Sequence, residues 1–137
     1  MDTEKQSIEF YLDQRSGVSP YLQLVQQVKQ ALRLGFLKEG DQLPTMRMVV
    51  SRLAINPNTV FKAYRELEHE GLIESRPGQG TFVVKTLADA SLASHAVLRQ
   101  NLIHWLQEAE AAGLDEESIL ALFTSTFQQF QKKEHIA

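Results

Sequence analysis

The sequence lacks cysteine and lacks long apolar runs. None of its 137 residues is cysteine, which excludes disulfides, zinc–thiolate sites and cysteine nucleophiles. No apolar stretch reaches the roughly 18 residues that mark a membrane span, and the N-terminus has no basic-then-apolar signal. The sequence therefore predicts a soluble cytoplasmic protein with no membrane partner.

The four histidines have no metal-ligand spacing, and the residues show no catalytic constellation. We therefore expect that the protein binds no metal and no cofactor and that it is not an enzyme.

An excess of positive charge is also missing. The net charge is −3, which at first argues against a nucleic-acid partner. The charge is unevenly distributed, however, because residues 20–84 carry a net +2, whereas residues 1–19 carry −2 and residues 85–137 carry −3. Binding to nucleic acid would therefore depend on a few well-placed bases in the middle of the chain.

The middle of the chain contains a helix with well-marked ends. Asn56 suits the N-cap, Pro57 the first helical position, and Gly71 the left-handed position after the last turn. The apolar stripe of this helix consists of Val60, Ala63, Tyr64 and Leu67. Upstream, Thr45 can cap a short helix over 46–53. Because the connection between the two helices is so short, the pair predicts a helix-turn-helix.

A β-hairpin is predicted directly after this pair. The runs 72–76 and 81–84 have the composition of strands, and the turn between them contains two glycines. A helix-turn-helix followed by a hairpin is a winged helix. Upstream, the alternation of Ile8, Phe10 and Leu12 with polar residues predicts a short half-buried strand, and Ser19-Pro20 opens a helix over 21–34.

Two further helices are predicted after residue 85. Thr86 or Asp89 can cap a long helix that ends at Ala112, and Asp115 can cap a second helix. Two short helices cannot cover such broad apolar faces against each other, so a partner is implied. We expect a homodimer, and the alternative is that the helices fold back on their own winged helix. The residues assigned to dimerisation are Leu92, Leu98, Leu102, Trp105, Leu106, Phe123 and Phe127.

The sequence thus predicts a mostly α fold with a small β-hairpin wing. Residues 8–85 form the winged-helix domain, and residues 86–132 form the helical dimerisation segment.

Several motifs in the middle segment resemble those of a known family. They are Leu43-Pro44-Thr45-x-Arg47, Asn56-Pro57-Asn58-Thr59-Val60, Tyr64-Arg65-Glu66-Leu67-Glu68, Glu70-Gly71-Leu72-Ile73 and Gly78-x-Gly80-Thr81-Phe82-Val83. Together they resemble the DNA-binding domain of GntR-type bacterial regulators, and the Asn-Pro-Asn-Thr-Val form is similar to the YtrA-like subgroup. The resemblance covers about 19–84. The sequence departs from many GntR-type regulators at Pro57 and Phe61, where they have arginine and another basic residue.

The resemblance implies a set of DNA contacts. They are Arg47, Asn58, Thr59, Phe61, Lys62 and Arg65 on the two helices, with Arg76, Gln79, Gly80 and Thr81 on the wing. The charge pattern agrees, because the first turn of the second helix has no acid and its positive end suits an anion or a base edge. The alternative is an ordinary solvated face, with Arg47 as a surface residue and Arg65 paired to Glu68. Phe61 could touch a thymine methyl group, although packing against the flank of the domain is favoured.

These patterns lead to one functional expectation and one alternative. We expect a transcriptional regulator, a repressor, that binds double-stranded DNA at a palindromic operator as a homodimer. The alternative is a winged helix that serves as a protein-interaction module. The sequence does not identify a small-molecule effector. Two short helices leave little room for a ligand pocket.

Overall fold

The computed structural model describes residues 8–88 and 95–136, which belong to two compact units. The first unit contains α1 (Pro20–Arg33), α2 (Met46–Leu53), α3 (Pro57–His69), β1 (Ile73–Arg76) and β2 (Gly80–Val83), and the second contains α4 (His95–Ala111) and α5 (Glu116–Ile136). The predicted fold class, mostly helical with a small hairpin wing, is confirmed. None of the helices in the described ranges is both long and apolar enough to cross a membrane.

The ends of α2 and α3 follow from local hydrogen bonds. Thr45 Oγ1 accepts a bond from the Met48 amide at 3.1 Å, and Asn56 Oδ1 accepts one from the Asn58 amide at 2.8 Å. Between the helices, Ala54 takes the left-handed conformation, with φ 54°, and its amide bonds back to the Val50 carbonyl at 2.9 Å. This one-residue reversal makes the short turn that the sequence predicts.

The core of the first unit forms where one stripe of α3 packs on α1. The stripe consists of Val60, Ala63, Tyr64 and Leu67, all buried, and the buried residues of α1 are Gln23, Leu24, Val25, Val28, Ala31 and Leu32. Burial of these side chains is the main source of stability in the unit, at about 25 cal/mol for each Å² of apolar surface. Because the stripe faces inward, the opposite face of α3 is left in solvent.

Tyr64 links α3 to the start of α2. Its hydroxyl donates to the carbonyl oxygen of Pro44 at 2.6 Å, just before the Thr45 cap. Burial of the ring raises the pKa of Tyr64 above its ordinary value, so the hydroxyl keeps its proton. The bond therefore ties the residue that precedes the Thr45 cap of α2 to the middle of α3.

The strand predicted at Ile8–Leu12 is wrong. Phe10 is buried and Ile8 and Leu12 are half-buried, as the alternation indicated, but the segment pairs with no strand. Two glutamine side chains of α1 take the place of a partner strand. Gln27 bonds the amide and carbonyl of Tyr11 at 3.2 and 2.8 Å, and Gln23 does the same for Asp13 at 2.8 and 3.1 Å.

The wing is an antiparallel hairpin joined to the loop before α2. Ile73 pairs with Val83 and Arg76 with Gly80, and Gln42 forms an isolated bridge to Phe82. The Leu43 amide donates to the Thr81 carbonyl at 2.9 Å, and the Val83 amide donates to the Asp41 carbonyl at 2.8 Å. Because these bonds flank β2 on its second edge, the hairpin is attached to the helical core.

The second unit is a pair of helices. Asp115 caps α5 as predicted, because its Oδ1 accepts a bond from the Ser118 amide at 2.8 Å, and this bond lowers the pKa of Asp115. The long helix predicted to begin at Thr86 or Asp89 is described only from His95. Thr86 caps no helix among the described residues, and Asp89 lies outside them.

We expect Tyr64→Phe to lower the free energy of unfolding of the winged-helix unit by about 1 kcal/mol, because it removes the hydrogen bond to Pro44 while keeping the ring. Urea denaturation followed by far-ultraviolet circular dichroism measures the change. Tyr11→Phe is the matched control, since Tyr11 is 62% exposed. Equal stability of the two variants would contradict the role given to the Tyr64 hydroxyl.

Candidate nucleic-acid interface

An open groove lies between α2 and the first turns of α3. We call it the α2–α3 groove, and its lining residues are Met46, Arg47, Val50, Pro57, Asn58 and Phe61. Its volume is about 570 Å³. Three of the residues predicted to contact DNA, Arg47, Asn58 and Phe61, therefore come together in space, although Arg47 belongs to a different helix.

The polar groups of the α2–α3 groove are exposed and suit a negatively charged or hydrogen-bonding ligand. The backbone N–H of Asn58 donates to Asn56 Oδ1, and Asn58 itself is exposed to solvent. The first turn of α3 contains no acid, so nothing offsets the positive end of its dipole. Thr59, half-buried beside Asn58, donates its amide to the Asn56 carbonyl at 2.9 Å.

Two cationic side chains further along α3 lie against aromatic rings. Lys62 Nζ is 4.1 Å from the centre of the Tyr21 ring, and Arg65 Cζ is 5.8 Å from the centre of the Phe61 ring. Both separations are within the roughly 6 Å range of a cation–π interaction. These contacts restrict the two side chains, and both residues remain exposed.

Arg76 on the wing is held from two sides. Its guanidinium carbon lies 4.5 Å from the centre of the Phe82 ring, and its Nε bonds Glu74 Oε2 at 3.0 Å. The salt bridge uses one edge of the guanidinium. The remaining N–H groups of the planar fork are geometrically suited to an acceptor such as a phosphate.

The tip of the wing is shaped by Gln42. The Gln42 side-chain amide donates to the Gln79 carbonyl at 3.2 Å and lies over Gly80, whose φ is +128°. A side chain at Gly80 would collide with Gln42 Nε2. Thr81 follows, half-buried, and its carbonyl accepts the Leu43 amide. Gly80 is therefore needed for the close approach of the loop to the wing.

The residues assigned to dimerisation lie on the second unit, and most are exposed. Leu98, Leu102, Leu106, Phe123 and Phe127 are exposed and Trp105 is half-buried, whereas Leu92 lies outside the described residues. The rings of Trp105 and Phe123 are 6.5 Å apart and those of Phe123 and Phe127 are 6.1 Å apart. An open apolar groove of about 420 Å³ runs along them and includes Leu122 and Phe130.

Sequence reasoning missed three residues that shape the candidate site. Tyr21 lies in the helix predicted over 21–34 and was given no part in the site, yet it contacts Lys62. Gln42 and Met46 carried no signal, because Gln42 acts through a hydrogen bond to the wing and Met46 lines the same groove as Phe61 only in the folded protein. No three His, Asp or Glu side chains of the described ranges form a group that could hold a metal ion.

The element order and the hairpin wing define the first unit as a winged helix-turn-helix domain. Residues 20–83 match the family of bacterial regulatory proteins named gntR. A relative from Bacillus subtilis (strain 168), the HTH-type transcriptional repressor YtrA, is 36% identical over 112 residues, which are 79% of this chain and 84% of that protein. The chain therefore belongs to the GntR family, and it is similar to the YtrA-like regulators.

Two solved structures share the fold. A transcriptional antiterminator from Listeria monocytogenes EGD-e is 31% identical, with a TM-score of 0.56 over 90% of this chain and 93% of that one. YtrA from Sulfolobus acidocaldarius, a GntR-family transcription factor, is 30% identical, with a TM-score of 0.51 over 71% of this chain and 96% of that one. These comparisons confirm the family resemblance and the winged-helix fold.

We expect Gly80→Ala to destabilise the winged-helix unit by roughly 1–2 kcal/mol, because the new methyl group displaces Gln42 and the residue keeps a positive φ. Thermal unfolding measures the loss. Gly17→Ala is the matched control, since nothing lies within 4 Å of its added carbon. A Gly80→Ala variant that unfolds at the same temperature as wild type would show that the wing tip tolerates a side chain.

Proposed function

We propose that the chain is a transcriptional repressor that binds a palindromic operator as a homodimer. Residues 8–85 contact the DNA, and residues 86–132 hold the two copies together. The observation that carries the proposal is the exposed, acid-free N-terminal end of α3, with Asn58 and Arg47 both lining the α2–α3 groove. A helix end of this kind suits base edges in the major groove.

The repressor assignment is supported by the relatives. The Bacillus subtilis relative that shares 36% identity is named a transcriptional repressor, and a second relative from that organism, at 28% identity, is named the repressor NagR. A regulator that binds the bacterial chromosome acts in the cytoplasm, which is the compartment we propose.

The candidate contacts divide into those that position the protein on the phosphate backbone and those that read base edges. Arg47, Arg65 and Arg76 carry guanidinium groups that suit phosphates, and the wing residues Gln79, Gly80 and Thr81 lie next to Arg76. Asn58, Thr59 and Lys62 lie on the first two turns of α3, the end that meets base edges in this docking mode. We assign base reading to these three residues.

Dimerisation is supported by the apolar surface of the second unit. Phe127 is 52% exposed, Phe123 43% and Leu102 42%, and they line one continuous groove. Exposed aromatic and aliphatic side chains in one patch mark an interaction surface. A second copy of the same surface is the simplest occupant, because a two-fold dimer presents two α3 helices to a two-fold DNA site.

We expect Arg76→Ala and Asn58→Ala to differ in their salt dependence. Loss of a phosphate contact at Arg76 weakens binding to operator and scrambled DNA equally and lowers the salt slope by about one. Loss of a base contact at Asn58 costs about 1–3 kcal/mol on the operator alone and leaves the slope unchanged. Salt titrations of both variants on both duplexes measure the two effects.

Arg33→Ala is the matched control for these titrations, because Arg33 is an exposed arginine in the last turn of α1, at the opposite end from Tyr21. It should bind both duplexes as wild type does. If Asn58→Ala binds the operator as tightly as wild type and keeps its discrimination, base reading lies elsewhere. If wild type itself does not distinguish operator from scrambled DNA, the protein is not a sequence-specific regulator.

We expect Phe127→Ser to weaken the dimer at least about tenfold, the effect of losing roughly 1.4 kcal/mol of interface energy. Sedimentation velocity measures the dissociation constant, and footprinting shows whether two half-sites about 10 bp apart remain protected. Val97→Ser is the matched control, since Val97 is 64% exposed but does not line the apolar groove. A monomeric wild type at micromolar concentration would overturn the dimer.

A further inference from the structure

We propose that the α2–α3 groove receives the 5-methyl group of a thymine, so that Phe61 is a specificity-determining residue for an A·T pair in the operator. The inference rests on the proposed function and goes beyond it, because it names the base that the groove selects.

The chemistry of the groove limits what it can accept. Four of its six lining residues, Met46, Val50, Pro57 and Phe61, are apolar, and only Arg47 and Asn58 can donate hydrogen bonds from their side chains. A phosphate could bond only the Arg47 and Asn58 side chains there, so the four apolar side chains of the lining remain without a partner. In the major groove of DNA, the apolar group on an unmodified base pair is the methyl group of thymine.

Phe61 is placed to make that contact. Phe61 is 47% exposed and Met46, at the start of α2, is 39% exposed, so two large apolar side chains lie open along the α2–α3 groove. Packing of Phe61 against the flank of its own domain, the interpretation that the sequence favoured, would bury the ring more completely. The Arg65 guanidinium, one turn further on, lies over one face of the ring at 5.8 Å from its centre, and the Phe61 side chain stays exposed beside it.

Asn58 makes the assignment to an A·T pair more specific. An asparagine side chain pairs with adenine through N6 and N7, and the thymine opposite that adenine presents its methyl group on the same major-groove edge. Asn58 and Phe61 are three residues apart on α3 and both line the α2–α3 groove. One A·T pair, or two adjacent ones, therefore satisfies both the hydrogen-bonding and the apolar part of the groove.

Deoxyuridine substitution tests the contact directly, because uracil pairs as thymine does but lacks the methyl group. The probe is a duplex enriched by the full-length protein from a random-sequence pool, in which each thymine is replaced by deoxyuridine one at a time. We expect one position in each half-site to bind wild type about fourfold more weakly, the factor that burial of one methyl group provides. Fluorescence anisotropy measures each dissociation constant.

The same titrations with Phe61→Ala identify the residue responsible. This variant should bind the thymine and uracil duplexes equally at the sensitive position, because the partner of the methyl group is gone. Phe36→Ala is the matched control, since Phe36 is 57% exposed and lies outside the α2–α3 groove. It should keep the full fourfold difference.

Each other outcome has a definite meaning. Equal binding of all uracil duplexes by wild type overturns the inference without needing any variant. A sensitive position that remains in Phe61→Ala overturns the role of Phe61. Failure to enrich any sequence from the pool removes the proposed function itself, whereas enrichment with no methyl sensitivity leaves the regulator intact and removes only the thymine contact.

Discussion

The burial of one stripe of α3 against α1 is the constraint on which the rest of the first unit depends. Val60, Ala63 and Leu67 are fully buried, so α3 cannot rotate about its axis without exposing them. That orientation decides which side chains of α3 face solvent. The Tyr64 hydroxyl extends the same constraint to α2 through Pro44, and the groove between the two helices follows from both. The surface that we propose for DNA contact is thus a consequence of packing on the opposite side of α3.

The helices of the first unit could be predicted because the signals that begin and end them are local. Thr45 and Asn56 cap α2 and α3 through amides two or three residues away, and both bonds are present. The strand at Ile8–Leu12 could not be judged in this way. The alternation of apolar and polar residues predicts which side chains are buried, and that part of the prediction was correct. A strand also needs a second strand to pair with its backbone. Here Gln23 and Gln27 of α1 act as that partner from ten to sixteen residues away.

The candidate site shows the same division between local and distant information. Asn58 and Lys62 could be placed at the exposed end of α3 from spacing alone, since helical periodicity assigns them to the face opposite the core. Their surroundings could not, because Tyr21 is 41 residues before Lys62 and Gln42 is 37 residues before Gln79. A contact between segments so far apart depends on how the helices and the hairpin pack, which no short pattern records. The exposure of Phe61 likewise depends on how the helices pack, and it could not be predicted from a short pattern.

The aromatic residues of the two units have a spectroscopic consequence. The chain has one tryptophan, Trp105, which lies beside Phe123 in the second unit, while all three tyrosines belong to the first. Indole emission therefore originates only in the helical pair, where Trp105 lines the apolar groove beside Phe123. A partner that covers this groove would remove water from around the indole ring. Tyrosine emission originates only in the winged-helix unit, where Tyr21 lies under the Lys62 ammonium. A partner that covers the apolar groove of the helical pair and a ligand that binds at α3 would therefore perturb different intrinsic fluorophores of one unlabelled protein.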